Sequence, residues 1–357
     1  MRKNIGVKPK RKLKIGIIAP IEESIPPERY GGTELIVYHL VEGLIKKGHQ
    51  VTLFASGDSK TSARLISPFP KCLRKAGEEI NHEVARLFSL FQAIQHQEEF
   101  DIIHNHAGWR FLPFAHSLKT KTVHTYHTYF FERTRFFFKQ FKDQPFTFLS
   151  KNQRSFVPFL KNAVIVYNGI DVKQFEFNAN PQNYFAFLGR FSPLKGALEA
   201  IQIALKAKIK LLIGAKIETE NKKEFYYFNN KIKPLLKHPK IKYLGELNHK
   251  EKVELLKNAR ALLFPIQWEE PFGLVLIEAM ACGTPVIALN RGAVPEIVIN
   301  KKTGFVVKTL KGMIGALKKI DKINRFDCRK LVEQKFTVER MVNNYEKVYF
   351  RLLNLPH

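Results

Sequence analysis

The feature that most restricts this chain is an alternation that runs once, stops and starts again. Short β-rich apolar runs (KIGIIAP at 14–20, VTLFAS at 51–56, DIIHNH at 101–106, KTVHTYH at 121–127 and AVIVYNG at 163–169) are separated by stretches with helical spacing. One such stretch, TELIVYHLVEGLIKKG, closes on Lys46, Lys47 and Gly48, residues that commonly stop a helix. A second set of runs follows: YFAFLGR (184–190), KLLIGA (210–215), IKYLGEL (241–247), ALLFPI (261–266), PVIAL (285–289) and GFVV (304–307). Strands alternating with helices build a parallel sheet with helices on both faces. The two sets share no repeated sequence, so the pattern predicts an α/β chain of two Rossmann-like, doubly wound domains. The 357 residues are enough for both.

The polar segment NGIDVKQFEFNANPQN lies between the sets and places the boundary near residue 172. The expected domains are residues 1–172 and 173–337. The last stretch, VERMVNNYEKVYFRLLNL, predicts a helix within 338–357 that returns toward the first domain. Two such domains facing one another leave a cleft, and open α/β sheets bind ligands beyond the carboxyl ends of their strands.

Lysine and arginine number 59 against 32 acidic residues, a formal charge of +27. Such a charge suits nucleic acid, an acidic membrane surface or phosphorylated substrates. A genome-wide bias toward Lys, Asn, Ile and Phe would produce it equally well. No zinc finger or RRM-type aromatic signature is present, so nucleic acid is not an expected partner. No apolar run reaches roughly 18 residues, so no spanning helix is expected. The amino-terminal MRKNIGVKPKRKLKIGIIAP has only IGIIAP as apolar core, too short for a secretory signal, and reads as a basic tail before the first strand. Cys72, Cys282 and Cys328 are widely spaced with no CxxC pair, which gives neither a disulfide framework nor a zinc site and suits the cytoplasm.

Three strand-to-helix junctions carry residues suited to chemistry. After the first strand, Gly31 and Gly32 precede a helix, where free amides and the dipole favour an anion; a glycine pair is also ordinary turn chemistry. It is not GxGxxG, so a nicotinamide site is unsupported. In FLGRFSPLKGA, Arg190 and Lys195 follow a strand and together could neutralise a diphosphate, although a basic pair is common in so basic a chain. In QWEEPFGLVLIEAMACG, Pro271 and Gly283 bracket a helix whose first turn offers the amides of Phe272, Gly273 and Leu274. Glu270 stands at its mouth and Glu278 inside it; a carboxylate there can accept from two vicinal hydroxyls. A buried carboxylate without partners costs several kcal/mol, so Glu278 must either reach solvent or be bound.

These residues resemble a known pattern. Glu270 and Glu278, with seven residues between, resemble the EX7E motif of retaining glycosyltransferases of family 4, also called glycosyl transferases group 1, which have the GT-B fold. YGGTE, GHQVTLFASG, DIIHNH, YNGID, LGRFSPLKG, EAMACGTPVIA and GAVPEIV agree in the family's order over residues 14–308. The resemblance implies that Arg190 and Lys195 bind the donor pyrophosphate, and that Gly31 and Gly32 lie near it. It implies that Glu278 hydrogen-bonds the ribose, while Glu270 contacts the transferred sugar beside the amides of Phe272, Gly273 and Leu274. His127, in HTYHT, matches the histidine beside the reacting sugar, with His124 as the other choice; the family usually shows Gly or Asp where Thr128 stands. His104 and His106 read as core and cleft wall.

The expected activity is therefore transfer of a hexose from a UDP- or GDP-sugar to a carbohydrate, such as a cell-envelope polysaccharide, or to a lipid-linked acceptor. No DxD pair or metal-ligand cluster is present, so neither metal nor cofactor is expected. A phosphorylase, a nucleotide-sugar epimerase and a non-enzymatic sugar-binding protein are the competing readings. YFFERTRFFFKQFK (129–142) reads either as an amphipathic element for an anionic membrane on its inner, cytoplasmic face, or as a Phe-rich core helix with a solvated basic face.

Overall fold

In the computed structural model of the chain, residues 11–77 and 80–355 are described; most of the amino-terminal basic tail, residues 1–10, lies outside them. Seven short strands form one sheet: β1 (Lys14–Ile18), β2 (Gln50–Phe54), β3 (Arg64–Ile66), β4 (Ile102–Asn105), β5 (Lys121–Thr125), β6 (Phe146–Phe148) and β7 (Ala163–Ile165). Their order is β3-β2-β1-β4-β5-β6-β7, with every pair parallel. A second sheet holds β8 (Phe185–Arg190), β9 (Leu211–Lys216), β10 (Ile241–Tyr243), β11 (Ala261–Phe264), β12 (Val286–Leu289) and β13 (Gly304–Val307). Its order is β10-β9-β8-β11-β12-β13, again all parallel. This is the pair of Rossmann-like sheets expected of GT-B.

Central strands such as β4 and β11 are buried throughout, as near-continuous apolar runs require when helices cover both faces. The helices used below are α1 (Gly32–Lys46), α2 (His82–Gln95), α3 (Arg135–Gln140), α4 (Ala197–Ala207), α5 (His249–Lys257), α6 (Leu274–Ala281), α7 (Arg325–Lys335) and α8 (Val338–Leu352). None among the described residues is long and apolar enough to cross a membrane. Strand order reverses between β1 and β4 in one sheet and between β8 and β11 in the other. Those are the switch points where an open α/β sheet leaves a crevice. The loops after β1, β8 and β11 carry the three motif junctions.

The sequence runs overshoot the strands at their carboxyl ends: IKYLGEL is strand only over Ile241–Tyr243. Two strands, β3 and β6, have no counterpart among those runs. Each is three residues long, too short to show a period of two.

Helix α8 packs on the first lobe. Met341, Val342, Tyr345, Val348, Tyr349 and Phe350 share a core with Ile36, Val37, Leu40 and Leu44 of α1. Glu346 anchors it, 3.0 Å from His49 and 2.9 Å from Lys47. The chain crosses between lobes twice, side by side: the Ile170 amide donates to the Phe336 carbonyl (2.9 Å), and the Val338 amide to the Ile170 carbonyl (3.2 Å).

Candidate active site

Helix α6 starts at Leu274, capped by Gly273 at φ 86°. Just before it, Glu270 is held from three sides. Gly292 lies so close that a Cβ there would sit 2.3 Å from the Glu270 nitrogen and oxygen, so only glycine fits. The Ala293 amide donates to the Glu270 carbonyl (2.8 Å). One carboxylate oxygen accepts from both the Trp268 indole (2.9 Å) and the Lys195 ammonium (2.7 Å).

Lys195 reaches this point from a short turn after β8, capped by the Ser192 hydroxyl, and its ammonium lies 4.9 Å from the Trp268 ring centre. Burial disfavours its charge, but the Glu270 carboxylate together with Tyr30 holds Lys195 above the ordinary lysine value. Lys195 and Glu270, 75 residues apart in sequence, are thus in direct contact.

Arg190 ends β8. Its Nε is 3.2 Å from Glu224, without the alignment of a hydrogen bond, and its Nη1 is 4.0 Å from Glu218. Glu218 also accepts from Lys216 (2.9 Å). Arg190, Lys216 and Glu218 line one wall of a 610 Å³ cavity; Tyr30, Arg74 and Arg86 of the first lobe line the other.

Glu278 lies on the second turn of α6 and is buried. It does not face open solvent: Lys252 of α5 donates to it at 2.5 Å. The Phe272 side chain packs into the core against Tyr167 and Phe336, which leaves only its amide for a ligand. Gly31 caps α1 and Gly32 begins it. A Cβ on Gly32 would come 3.2 Å from the Leu274 side chain, so the starts of α1 and α6 meet across the lobes.

His127 and His124 separate as strand geometry dictates. His124 is in the core, 5.4 Å from the Phe146 ring and 3.3 Å from the Asn105 amide. His127 lies beyond β5 on a loop whose carbonyls at Tyr126 and Thr128 accept from Gln153. The neighbouring Asn152 reaches across to Glu269, next to Glu270 (3.3 Å). Burial pushes His127 down to about 3 and His124 to about 4, so both imidazoles are neutral near pH 7. His127 is 2.8 Å from His106, which is 3.2 Å from His104. The three imidazoles form a column, with His106 buried between the other two.

Sequence reasoning gave no role to Glu34, Lys252 or Trp268. Glu34 sits in the first turn of α1, buried, and burial together with the Glu22 and Glu23 carboxylates raises it to about 7. Its signal was present in YGGTE, an acid just inside a glycine-started helix. Nothing local marks Lys252, which only the fold brings to Glu278. Among the described residues no cluster of three or more His, Cys, Asp or Glu is placed to hold a metal.

A family model for glycosyl transferases group 1 matches residues 170–325, and one for Glycosyltransferase Family 4 matches residues 30–174. The chain is 30% identical over 201 residues to an uncharacterized glycosyltransferase of Methanocaldococcus jannaschii, 54% of this chain and 55% of that one, so it spans about half that protein's length. It is 22% identical over 367 residues to the O-antigen chain mannosyltransferase C of Escherichia coli, covering 92% of this chain and 96% of that one. In structure it is similar to sucrose-phosphate synthase of Thermosynechococcus elongatus (TM-score 0.77, 22% identity, 96% and 100% covered). It is also similar to HepE of Anabaena, solved with UDP and glucose (TM-score 0.73, 17% identity, 94% and 99% covered). With one family model on each lobe, together spanning residues 30–325, the chain belongs to the group 1, family 4 glycosyltransferases of GT-B fold.

Proposed function

We propose that this glycosyltransferase moves a hexose from a UDP- or GDP-sugar to a carbohydrate or lipid-linked acceptor, with retention and without metal or cofactor. The observation that carries the reading is the Lys195–Glu270 contact at the mouth of α6. A donor diphosphate takes the ammonium of Lys195 and the fork of Arg190, while sugar hydroxyls donate to Glu270. The amides at 272–274 and the dipole of α6 add positive potential. Fixed cations and dipoles of this kind stabilise charge on the leaving nucleoside diphosphate. Glu278, held by Lys252, accepts from the ribose hydroxyls.

Retention by double displacement needs a free carboxylate beside the anomeric carbon. Glu270 is engaged by Lys195 and Trp268, which favours front-face substitution with the leaving phosphate assisting deprotonation of the acceptor. The relatives named for mannosyl transfer to an O-antigen chain and for complexes with UDP and glucose support a hexose and a carbohydrate acceptor. The test is a screen of UDP-, GDP- and ADP-sugars for nucleoside diphosphate release, with and without EDTA. Release from none of them would refute the reading, and release abolished by EDTA would refute its metal independence.

The acceptor is met at an anionic membrane surface on the cytoplasmic side, and the first lobe offers a face for it. Within 129–142, Phe130 and Phe138 are core with Phe137 and Phe141 packed against them, while Phe131 and Phe136 are exposed, so its aromatic rings divide between packing and the surface. Helix α2 supplies a larger apolar surface. It turns Ala85, Ser89, Leu90 and Ala93 inward and leaves Val84, Leu87, Phe88 and Phe91 exposed at one helical face. An outward face of four large apolar side chains, over an inward face that is small except for Leu90, suits burial in a lipid interface.

A further inference from the structure

We infer that Glu296, on the second lobe, is a positioning residue that holds the first lobe's His127 loop in register with Glu270. The inference rests on the reading in which His127 and Glu270 both face the transferred sugar. Glu296 stands in GAVPEIV, on the short helix Val294–Ile297, and three groups of the first lobe donate to its carboxylate. They are the Lys151 amide, the Asn152 amide and the Tyr167 hydroxyl, each at 2.8 Å. Lys151 and Tyr167 share one oxygen, and Asn152 takes the other.

The local sequence leaves these amides open. Lys151 and Asn152 begin the helix Lys151–Ser155, and the first amides of a helix have no partner within it. The cap, Ser150, accepts from the Gln153 amide (3.1 Å), so the two amides before it take their acceptor from elsewhere. Glu296 supplies it across the gap between the lobes. Two amides and a phenol converging on one carboxylate fix its orientation as well as its distance.

Gln153 carries the link inward. It is buried, and its side-chain amide donates to the Tyr126 and Thr128 carbonyls (2.7 and 2.8 Å), one on each side of His127. Its side-chain oxygen accepts from the Leu149 amide (2.8 Å), so the whole group is engaged. Toward the second lobe, Glu269 accepts from the Asn152 side chain (3.3 Å) and from the Gly292 amide (2.7 Å). The Ala293 amide in turn donates to the Glu270 carbonyl (2.8 Å). Two carboxylates of the second lobe, at 269 and 296, therefore grip one five-residue helix of the first. That helix orients His127, and the segment 292–296 orients Glu270. Sugar transfer needs both at once, whereas holding the nucleotide through Arg190, Lys195 and Glu278 needs the second lobe alone.

The experiment compares the full chain with Glu296→Gln, which keeps the shape but turns an NH2 group toward a backbone amide that also donates. Three quantities are read: kcat with the donor accepted in the screen, the dissociation constants of UDP and GDP, and nitrogen NMR of the histidine rings and the two tryptophan indoles. The expected kcat falls about ten- to a hundredfold, the scale for reacting groups misplaced by about 1 Å. Affinity for UDP and GDP stays within about twofold, as for a residue that leaves ground-state nucleotide binding alone. The His127 resonances shift, while the Trp268 indole, bonded to Glu270, stays where it was. An unchanged kcat, or a shifted Trp268 beside an unmoved His127, overturns the inference, because Glu296 would then serve its own lobe only. If Glu296→Gln does not fold, Tyr167→Phe removes one of the three donors and keeps the ring. A loss of about fivefold in kcat, the scale of one hydrogen bond, is then expected, and no loss overturns the inference. A wild type inactive on every donor would refute the functional reading, and the His127 and Trp268 resonances would still decide the link between the lobes.

Discussion

The Lys252 ammonium lies 2.5 Å from the Glu278 carboxylate, closing from α5 a charge that α6 would otherwise bury alone. A single buried carboxylate on an apolar helix is costly; as one half of an ion pair it is a preset acceptor.

That arrangement gives the first expectation. Glu278→Ala should raise the donor KM roughly ten- to a hundredfold, the loss expected for hydrogen bonds to a charged group. It should also erase the preference for a ribo- over a 2′-deoxyribo-nucleotide sugar. Comparing kcat/KM for the two donors checks this, and a preference surviving intact in the variant would show that Glu278 does not read the ribose.

Lys195→Ala should reduce turnover at saturating donor by roughly two to three orders of magnitude, the usual consequence of removing one preorganised partner of a developing charge. The measurement is kcat for nucleoside diphosphate release. Near-normal turnover would remove Lys195 from the diphosphate site.

Glu34 should make stability depend on pH. Its folded value of about 7 stands above the unfolded value near 4.5, so the folded chain holds the proton longer. Stability should therefore be highest below pH 4.5 as far as this group is concerned. It should fall as pH rises toward 7, by on the order of 3 kcal/mol in total. Glu34→Gln should flatten that part of the profile. Denaturant midpoints at pH 5 and pH 8 for both proteins test it, and equal slopes would mean that Glu34 ionises freely.

The double substitution Phe88→Glu with Phe91→Glu should abolish flotation with anionic vesicles at low salt while leaving the melting temperature nearly unchanged, since both side chains are exposed. Wild-type protein that shows no preference for anionic over neutral vesicles would sink the membrane reading itself.

Much of this was legible in the sequence, for reasons that differ from residue to residue. The two sheets were, because buried parallel strands are written as apolar runs. The junctions at Gly31, Arg190 and Glu270 were, because strand ends and helix starts are marked locally by glycine, proline and charge. Lys252 was not, since its meaning comes from the packing of α5 on α6. The outward face of α2 was missed although Val84, Leu87, Phe88 and Phe91 keep helical spacing; a period says that one face is apolar, not which way it points. The histidines at 104 and 106 were read singly, and only their stacking across β4 and β5 makes them a line.

Helix α8 carries a consequence for how the protein is made. The first lobe's core needs Tyr345, Tyr349 and Phe350, yet domains emerging from the ribosome ordinarily fold from the amino terminus onward. Here the early lobe stays unfinished, with α1 uncovered, through synthesis of the whole second lobe. Its final consolidation is then a late event in biogenesis, and nascent chains stalled before residue 338 should depend on chaperones more than the completed polypeptide does.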